Sequence, residues 1–304
     1  MYLDHFNFSS KPFDMNPDPA FLYPSQQHSA ALTMLEYAME SQASFCVLTG
    51  EIGSGKTTLI RGLLNMLGEK VTVGLISNTH QRFRSIHPWV LSALGIVPRD
   101  ESDVSHYEAL NEFFITEYAK GRRTLLVFDE AQNLSVRTLE ELRLLSNLNS
   151  EKDVVLQTML VGQPELRVKM ARPDLKQFAQ RVAVDFHLNA LSLPDAEAYV
   201  RHRLKVAGGN EAIFHRKAIE FVYRFSGGIP RLINQICDLS LVYAFADGQR
   251  RVGATLVAVV IKDRNAGRSA ALSHNSGVVP PARTKVAVSV PAPLAHDGLI
   301  PERV

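Results

Sequence analysis

Short apolar runs alternate through residue 193 with segments whose apolar residues recur at helical spacing. The runs at 45–49, 71–77, 124–128, 154–161 and 182–188 are predicted as strands, and the segments at 28–41, 57–67, 86–94, 107–120 and 136–147 as helices. Uninterrupted apolar strands are typical of a sheet covered on both faces, and alternation with helices favours parallel strands. We therefore expect a three-layer α/β sandwich with a mainly parallel sheet, whose ligands lie at the carboxyl ends of the strands.

The pattern differs on either side of this α/β domain, which we place at residues 29–193. Residues 1–28 are rich in aromatic residues and proline, and we expect an arm that packs on the core through its rings. Residues 194–264 show only helical spacing and predict a small all-α lid domain, with Asp195 as the N-cap of its first helix. Residues 265–304 have little aromatic content, so we expect a disordered tail.

Composition and charge add only broad limits. The net charge is +2, so the chain has no gross electrostatic preference for nucleic acid or membranes. The two cysteines, Cys46 and Cys237, lie in apolar segments, which is typical of buried thiols in a reducing compartment. Because neither a signal peptide nor a run of about 20 apolar residues is visible, we expect a cytoplasmic protein without a transmembrane segment.

One segment matches the pattern G-x-x-x-x-G-K-[ST], which cradles phosphates. It follows an apolar strand and precedes a helix, and that context favours a phosphate-binding loop over a simple glycine-rich turn. Its backbone N–H groups and the helix N-terminus attract phosphate oxygens. Lys56 is expected to reach the β- and γ-phosphates of ATP, and Thr57 to offer its hydroxyl to Mg²⁺. The predicted cofactor-binding residues are Gly50, Glu51, Ile52, Gly53, Ser54, Gly55, Lys56, Thr57 and Thr58.

A second apolar strand, at residues 124–128, ends in two acids. We predict that Asp129 holds Mg²⁺ and that Glu130 orients and polarises an attacking water. A solvated acidic turn is the alternative, but the phosphate loop upstream favours the metal site. The acidic pair also favours hydrolysis over a nucleotide-dependent scaffold without turnover.

Together these motifs resemble the AAA+ ATPases of the general secretion pathway protein A (ExeA-like) family. Further matching segments lie at 11–13, 17–23, 160–166, 180–182 and 227–234, so the resemblance covers about residues 1–264. It implies a P-loop NTPase fold, with Walker A and Walker B motifs, and Mg²⁺-dependent hydrolysis of ATP. It also implies a homo-oligomer, of which a hexameric ring is one form.

The resemblance assigns roles to matching residues outside the two motifs. Gln163 corresponds to sensor 1, and Arg231 corresponds to sensor 2, which contacts the γ-phosphate in its own subunit. Arg181 corresponds to the arginine finger that a neighbouring subunit receives, with Arg172 as a competing candidate. Asn78 is a candidate for restraining Glu130 until a partner binds.

His28 and residues 17–23 have two interpretations that the sequence leaves open. They line an adenine pocket, or they only pack the arm against the domain.

The resemblance leaves open which process the ATPase serves. Relatives with secretion roles continue into a membrane span and a peptidoglycan-binding part, whereas this chain resembles the short forms found with exosortase (PEP-CTERM), exopolysaccharide or pilus systems. We expect it to drive or regulate such an envelope assembly through an unknown protein partner, in the cytoplasm or attached to the inner membrane through that partner. A DNA-dependent ATPase of the transposition-helper type is the alternative. Basic lid residues that could contact DNA phosphates are Arg201, Arg203, Lys205, Arg216, Lys217, Arg250 and Arg251.

Overall fold

The apolar runs form one parallel sheet in the computed structural model, which describes residues 1–16, 18–77, 85–149 and 154–275, with side chains through 266. The strands are β1 Phe45–Gly50, β2 Val71–Ile76, β3 Arg123–Phe128, β4 Leu156–Gly162 and β5 Val182–Leu188. Their order across the sheet is β2-β3-β4-β1-β5, and every pairing is parallel. The predicted fold class is confirmed, with strand ends shifted by a few residues.

Helices connect the strands and then continue alone to the end of the described chain. They are α1 Tyr2–Phe6, α2 Gln26–Glu40, α3 Lys56–Met66, α4 His87–Leu94, α5 Asp103–Ala119, α6 Val136–Leu145, α7 Pro164–Met170, α8 Lys176–Ala179, α9 Leu193–Val206, α10 Arg216–Ser226, α11 Pro230–Ala246 and α12 Ala254–Asn275. The described part of the chain contains no helix with the length and apolar character needed to span a membrane.

Side chains that alternate along the strands build two separate cores. Phe45 and Val47 of β1 belong to the cluster that α4–α8 cover, whereas Cys46 and Leu48 belong to the cluster beneath α2 and α3. Successive strand residues point to opposite faces, so one apolar run supplies both layers. Every residue of β1 and β4 is buried for this reason. The three-layer arrangement is therefore the one that the unbroken apolar strands predict.

The N-terminal arm packs differently from our expectation. The rings of Tyr2, Phe6, Phe8 and Phe13 are all buried in the cluster formed by α9–α12, whereas we had placed the arm on the α/β core. Four helices of this length enclose little apolar surface by themselves, and the arm's rings enlarge that core. The arm is thus part of the lid's interior.

Two boundaries in the helical part also differ from expectation. Helix α9 begins at Leu193, because the Ser192 hydroxyl caps it by accepting the N–H of Asp195 at 3.3 Å; Asp195 lies in its first turn and accepts the Ser192 hydroxyl in return. Helix α12 continues to Asn275, beyond the predicted start of the tail at residue 265. The rest of the predicted tail, residues 276–304, lies outside the described residues.

Candidate functional site

The phosphate loop depends on glycine for both its backbone and its surroundings. It joins β1 to α3, and Gly53 and Gly55 have φ angles of +83° and +102°. A Cβ atom on Gly55 would lie 3.0 Å from Nε2 of His28, and one on Gly53 would lie 2.4 Å from Cβ of Arg231. Glycine permits these left-handed φ values and this close approach. The loop is therefore enclosed by His28, near the start of α2, on one side and by the lid helix α11 on the other.

Lys56 lies at the base of this loop. Among the described residues, its ammonium donates hydrogen bonds only to backbone carbonyls. Nζ donates to the carbonyls of Gly50 at 2.7 Å and Glu51 at 2.9 Å. Burial lowers the pKa of Lys56, and the nearby carboxylates of Glu130 and Asp129 oppose that shift. Since its observed acceptors are neutral carbonyls, the ammonium can turn to a phosphate without losing an ion pair.

One buried hydroxyl of the loop lies apart from the cavity. Oγ of Ser54 is buried, has no hydrogen-bond partner among the described residues and would lie 2.9 Å from a Cβ atom on Gly50. Since Ser54 does not line the cavity, the residues that fit a phosphate there are Gly53, Gly55 and Lys56.

Asp129 and Thr57 form the oxygen pair that the sequence predicts for Mg²⁺. The Thr57 hydroxyl donates to Oδ2 of Asp129 at 3.4 Å. Burial raises the pKa of Asp129, and the backbone N–H of Glu130 is the main opposing influence. A carboxylate and a hydroxyl are ligands suited to Mg²⁺, and a cation beside Asp129 would favour its ionised form. These residues therefore fit the predicted metal.

Glu130 follows directly in a left-handed conformation, with φ +55°. Its Oε2 accepts one N–H from the Gln132 side chain at 2.5 Å and another from the Gln163 side chain at 3.1 Å. Gln163 directly follows β4, which neighbours β3 in the sheet. Parallel neighbouring strands bring their carboxyl ends together, so the predicted base and the predicted sensor lie in contact.

Arg231 approaches from the lid and completes the enclosure. It is the second residue of α11, and its backbone N–H donates to the carbonyl of Gly53 at 3.1 Å. Among the described residues no hydrogen bond or ion pair of its guanidinium is observed, and Arg231 lines the cavity above the loop. A guanidinium in this position is available for a phosphoryl group.

A cavity of about 350 Å³ brings most of the predicted site residues together. The predicted residues that line it are Ile52, Gly53, Gly55, Lys56, Thr57, Thr58, Asp129, Glu130, Gln163 and Arg231, together with His28 and Phe21–Tyr23 of the arm. Gly50, Glu51 and Ser54 are not among its lining residues, and the carbonyls of Gly50 and Glu51 hold Lys56. His28 donates or accepts at the Ser25 hydroxyl (2.7 Å) and contacts the carbonyl of Ser54 at 3.2 Å.

The structure also identifies cavity residues that the sequence analysis missed. They belong to the arm and the lid: Asp14, Met15, Asn16, Tyr199, Pro230 and Asn234, together with Arg203, to which the sequence analysis gave a different role. Asp18 also lines the cavity and lies within the predicted segment 17–23. The Tyr199 hydroxyl donates to Asn234 at 2.8 Å. The only local signal for this network is the spacing of four between Tyr199 and Arg203 on one helix.

The prediction that Arg203 could contact DNA phosphates is wrong. It is buried, and its Nε and Nη1 donate to the Pro12 carbonyl at 2.5 Å and to the Tyr199 hydroxyl at 2.9 Å. Its guanidinium also lies over the Phe21 ring, 4.7 Å from the centroid. This arginine fastens the arm to the lid and is not exposed to a nucleic acid.

The two candidate arginine fingers lie outside the cavity. Nη1 of Arg181 donates to the Arg143 carbonyl at 3.1 Å and to Oγ of Ser146 at 2.6 Å. Arg172 forms a two-bond ion pair with Asp174 on the surface. Neither assignment is tested by these contacts, and Asn78 lies outside the described residues.

Comparison with known proteins gives the family that the sequence motifs resemble. Residues 39–170 match the AAA domain. The chain is 40% identical over 253 residues to "General secretion pathway protein A" of Aeromonas hydrophila, a match that covers 83% of this chain. This chain belongs to the AAA ATPases related to that secretion protein. It spans 46% of the relative's length.

Solved structures share the fold of this chain at low sequence identity. The ORC2 protein of Aeropyrum pernix, in ADPNP and ADP complexes, matches with a TM-score of 0.63 and 17% identity over 84% of this chain and 71% of its own. Drosophila ORC bound to DNA matches with a TM-score of 0.60 and 17% identity over 82% of this chain and 63% of its own. At this level of identity the likeness concerns the fold of the AAA domain and lid.

Gly53→Ala should destabilise the protein more than the same change at Gly68. Both residues have left-handed φ, +83° and +62°, so both variants lose about 1–2 kcal/mol to backbone strain. The new methyl at position 53 also meets Cβ of Arg231, whereas nothing lies within 4 Å of the one at position 68. Overpacking adds about 1–3 kcal/mol to the loss at Gly53. Urea unfolding of both variants measures the difference, and equal losses would contradict the contact between loop and lid.

Proposed function

We propose that this protein hydrolyses ATP to ADP and phosphate, in a Mg²⁺-dependent reaction, to drive or regulate the assembly of a cell-envelope system. The observation that carries the proposal is the convergence of Lys56, Asp129, Glu130, Gln163 and Arg231 on one cavity above the phosphate loop. These residues come from four strand or helix ends that are distant in sequence. A simple nucleotide-binding scaffold does not require the two acids or the sensor beside them.

Each residue has a role that follows from its surroundings. Lys56 and the loop N–H groups bind the β- and γ-phosphates, while Glu130, held by two amides, orients the attacking water. Arg231 faces the same space and would stabilise negative charge on the γ-phosphoryl group. Mg²⁺ held by Thr57 and Asp129 would supply positive charge at the phosphate oxygens.

The envelope role is supported by the identity with general secretion pathway protein A. Since the chain spans 46% of that relative, the shared part is the AAA domain and its flanking helices rather than the whole protein. We infer that hydrolysis acts on a protein partner of a secretion, pilus or exosortase-associated polysaccharide system. The protein would work in the cytoplasm. Any attachment to the inner membrane would be through that partner.

We infer further that the active form is a homo-oligomer, for example a hexameric ring, with Arg181 acting in a neighbouring subunit. Arg181 directly precedes β5, and the first residue of β5 pairs with Phe45 at the start of β1. The phosphate loop begins at Gly50, at the other end of β1, five residues from Phe45 or about 17 Å along an extended strand. Arg181 is therefore remote from the ATP site of its own subunit, and a finger there has to serve another one. Arg172 stays a competing candidate.

Contacts within the lid weaken the alternative of a DNA-dependent ATPase. Arg203 is buried, Arg201 pairs with Glu197 at 2.8 Å, and Arg250 bonds to the backbone carbonyl of His5. Arg216 lies near Glu197 and Glu220. Much of the predicted basic surface is thus committed to intramolecular contacts, although a neighbour with the same fold is bound to DNA.

Glu130→Gln should abolish turnover while leaving ATP binding intact. The amide keeps the size of the side chain but cannot accept a proton or polarise water, so kcat should fall by about 10²–10⁴-fold. Steady-state phosphate release and ATP affinity are measured for this variant and for Glu112→Gln, an exposed control on α5. Retained hydrolysis in Glu130→Gln would remove the assignment of the base.

Arg181→Ala should lower ATPase activity, and mixing should restore part of it. The partner in the mixture is Lys56→Ala, which has an intact finger but a defective phosphate loop. A shared site forms where Lys56→Ala presents Arg181 to the loop of the other variant. Ser146→Ala is the matched control, because it removes a partner of the Arg181 side chain and keeps the guanidinium. The role would pass to Arg172 if the mixture of Arg181→Ala with Lys56→Ala regained no activity while a mixture of Arg172→Ala with Lys56→Ala did.

Duplex DNA should leave ATP turnover unchanged. The measurement compares turnover with and without DNA at several salt concentrations, since phosphate contacts weaken steeply as salt rises. Stimulation that disappears at high salt would instead favour the DNA-dependent alternative.

A further inference from the structure

Gln132 joins two parts of the site that come from different strands. Its side-chain amide donates to Oε2 of Glu130 at 2.5 Å, and its side-chain carbonyl accepts the backbone N–H of Gln163 at 3.0 Å. Glu130 follows β3 and Gln163 follows β4, so one side chain spans the gap between the two strand ends. Both ends of its amide group are therefore used.

The surroundings hold this bridge in place. Nζ of Lys169, on α7, donates to the backbone carbonyl of Gln132 and to that of Leu134 at 2.6 Å, which fixes the short 3₁₀ turn at Ala131–Asn133. Gly162 leaves room for the bridge, because a Cβ atom there would lie 2.9 Å from Oε1 of Gln132. A larger residue at position 162 would displace the amide.

Gln132 differs from Gln163 in its relation to the cavity. Gln163 lines the cavity, whereas Gln132 is absent from its lining, so a nucleotide would touch the first and not the second. Both amides donate to the same oxygen of Glu130, and two N–H bonds to one oxygen restrict the rotation of the carboxylate. The bond from Gln132 does not involve the side chain of Gln163, so it would remain where that side chain turns toward a phosphate.

We propose that Gln132 is a positioning residue, which orients the carboxylate of Glu130 for water activation and ties it to the backbone of Gln163. The first of these roles rests on the ATP hydrolysis proposed above, and the second is a property of the protein without nucleotide. Gln132 acts through Glu130 and does not touch the reacting atoms. A positioned base increases the rate of a reaction by about 10²–10⁴-fold, and part of that increase depends on its orientation.

Two substitutions separate the two ends of the bridge. Gln132→Glu keeps an oxygen acceptor for the N–H of Gln163 but replaces the donor to Glu130 with a second carboxylate that repels it, whereas Gln132→Ala loses both bonds. Amide hydrogen exchange at Gln163 is measured in the full chain without nucleotide. We expect the fastest exchange at this amide in Gln132→Ala, and slower exchange in Gln132→Glu because it keeps an acceptor.

Activity provides the second readout. Both variants should lower kcat for ATP hydrolysis by about tenfold or more, a fraction of the effect of a positioned base, with ADP affinity unchanged. Gln249→Glu and Gln249→Ala, made at an exposed glutamine remote from the cavity, are matched controls and should alter neither readout.

The outcomes distinguish this inference from the proposed function. Unchanged exchange at Gln163 in Gln132→Ala would overturn the bridge, whatever the activity. A wild-type kcat in both variants, or a parallel loss of kcat and ADP affinity, would overturn the positioning role. A wild-type protein that does not hydrolyse ATP would refute the proposed function and with it the positioning role, while the exchange result would still test the bridge.

Discussion

The hydrogen bond from the N–H of Arg231 to the carbonyl of Gly53 fastens the lid onto the phosphate loop. At that point the two backbones are so close that a single added methyl would overlap the Arg231 side chain. This contact brings Arg231 to the loop and closes the cavity on the lid side. Because the loop's glycine is required both for its φ angle and for the approach of α11, one residue links phosphate binding to the arrangement of the two parts.

The arm makes the corresponding contact from the other side. His28 touches the carbonyl of Ser54 and the face of Gly55, while Arg203 attaches the preceding segment to the lid through the Pro12 carbonyl. The loop, the arm and the lid therefore form a closed series of contacts around the cavity. The rings of the arm lie in the lid's interior, so the arm approaches the loop from the lid side.

The parts of the site that the sequence predicts are those whose position follows from local pattern. The strand before Gly50, the helix after Lys56 and the strand before Asp129 are each recognisable from apolar spacing, and parallel pairing brings their ends together. Gln163 and Arg231 were placed only through the family resemblance. Gln132 was missed as a functional residue and Arg203 was given the wrong role, because their partners are set by tertiary packing. The bond between Arg203 and Pro12 joins residues 191 positions apart, and no periodicity encodes such a pair.

Burial gives the site an electrostatic bias that matches its proposed ligands. It lowers the pKa of Lys56 and raises that of Asp129, so the enclosed cavity disfavours the charged form of both groups. For Asp129 the folded state holds its proton more tightly than the unfolded chain, and stability is lost as pH rises through the raised pKa. For Lys56 the folded state holds its proton less tightly, and stability is lost as pH falls through the lowered pKa. A phosphate beside Lys56 and a cation beside Asp129 would each offset one of these costs. Because the enclosure destabilises both charges, a metal–nucleotide complex that offsets both costs stabilises the folded state more than it would at an exposed site.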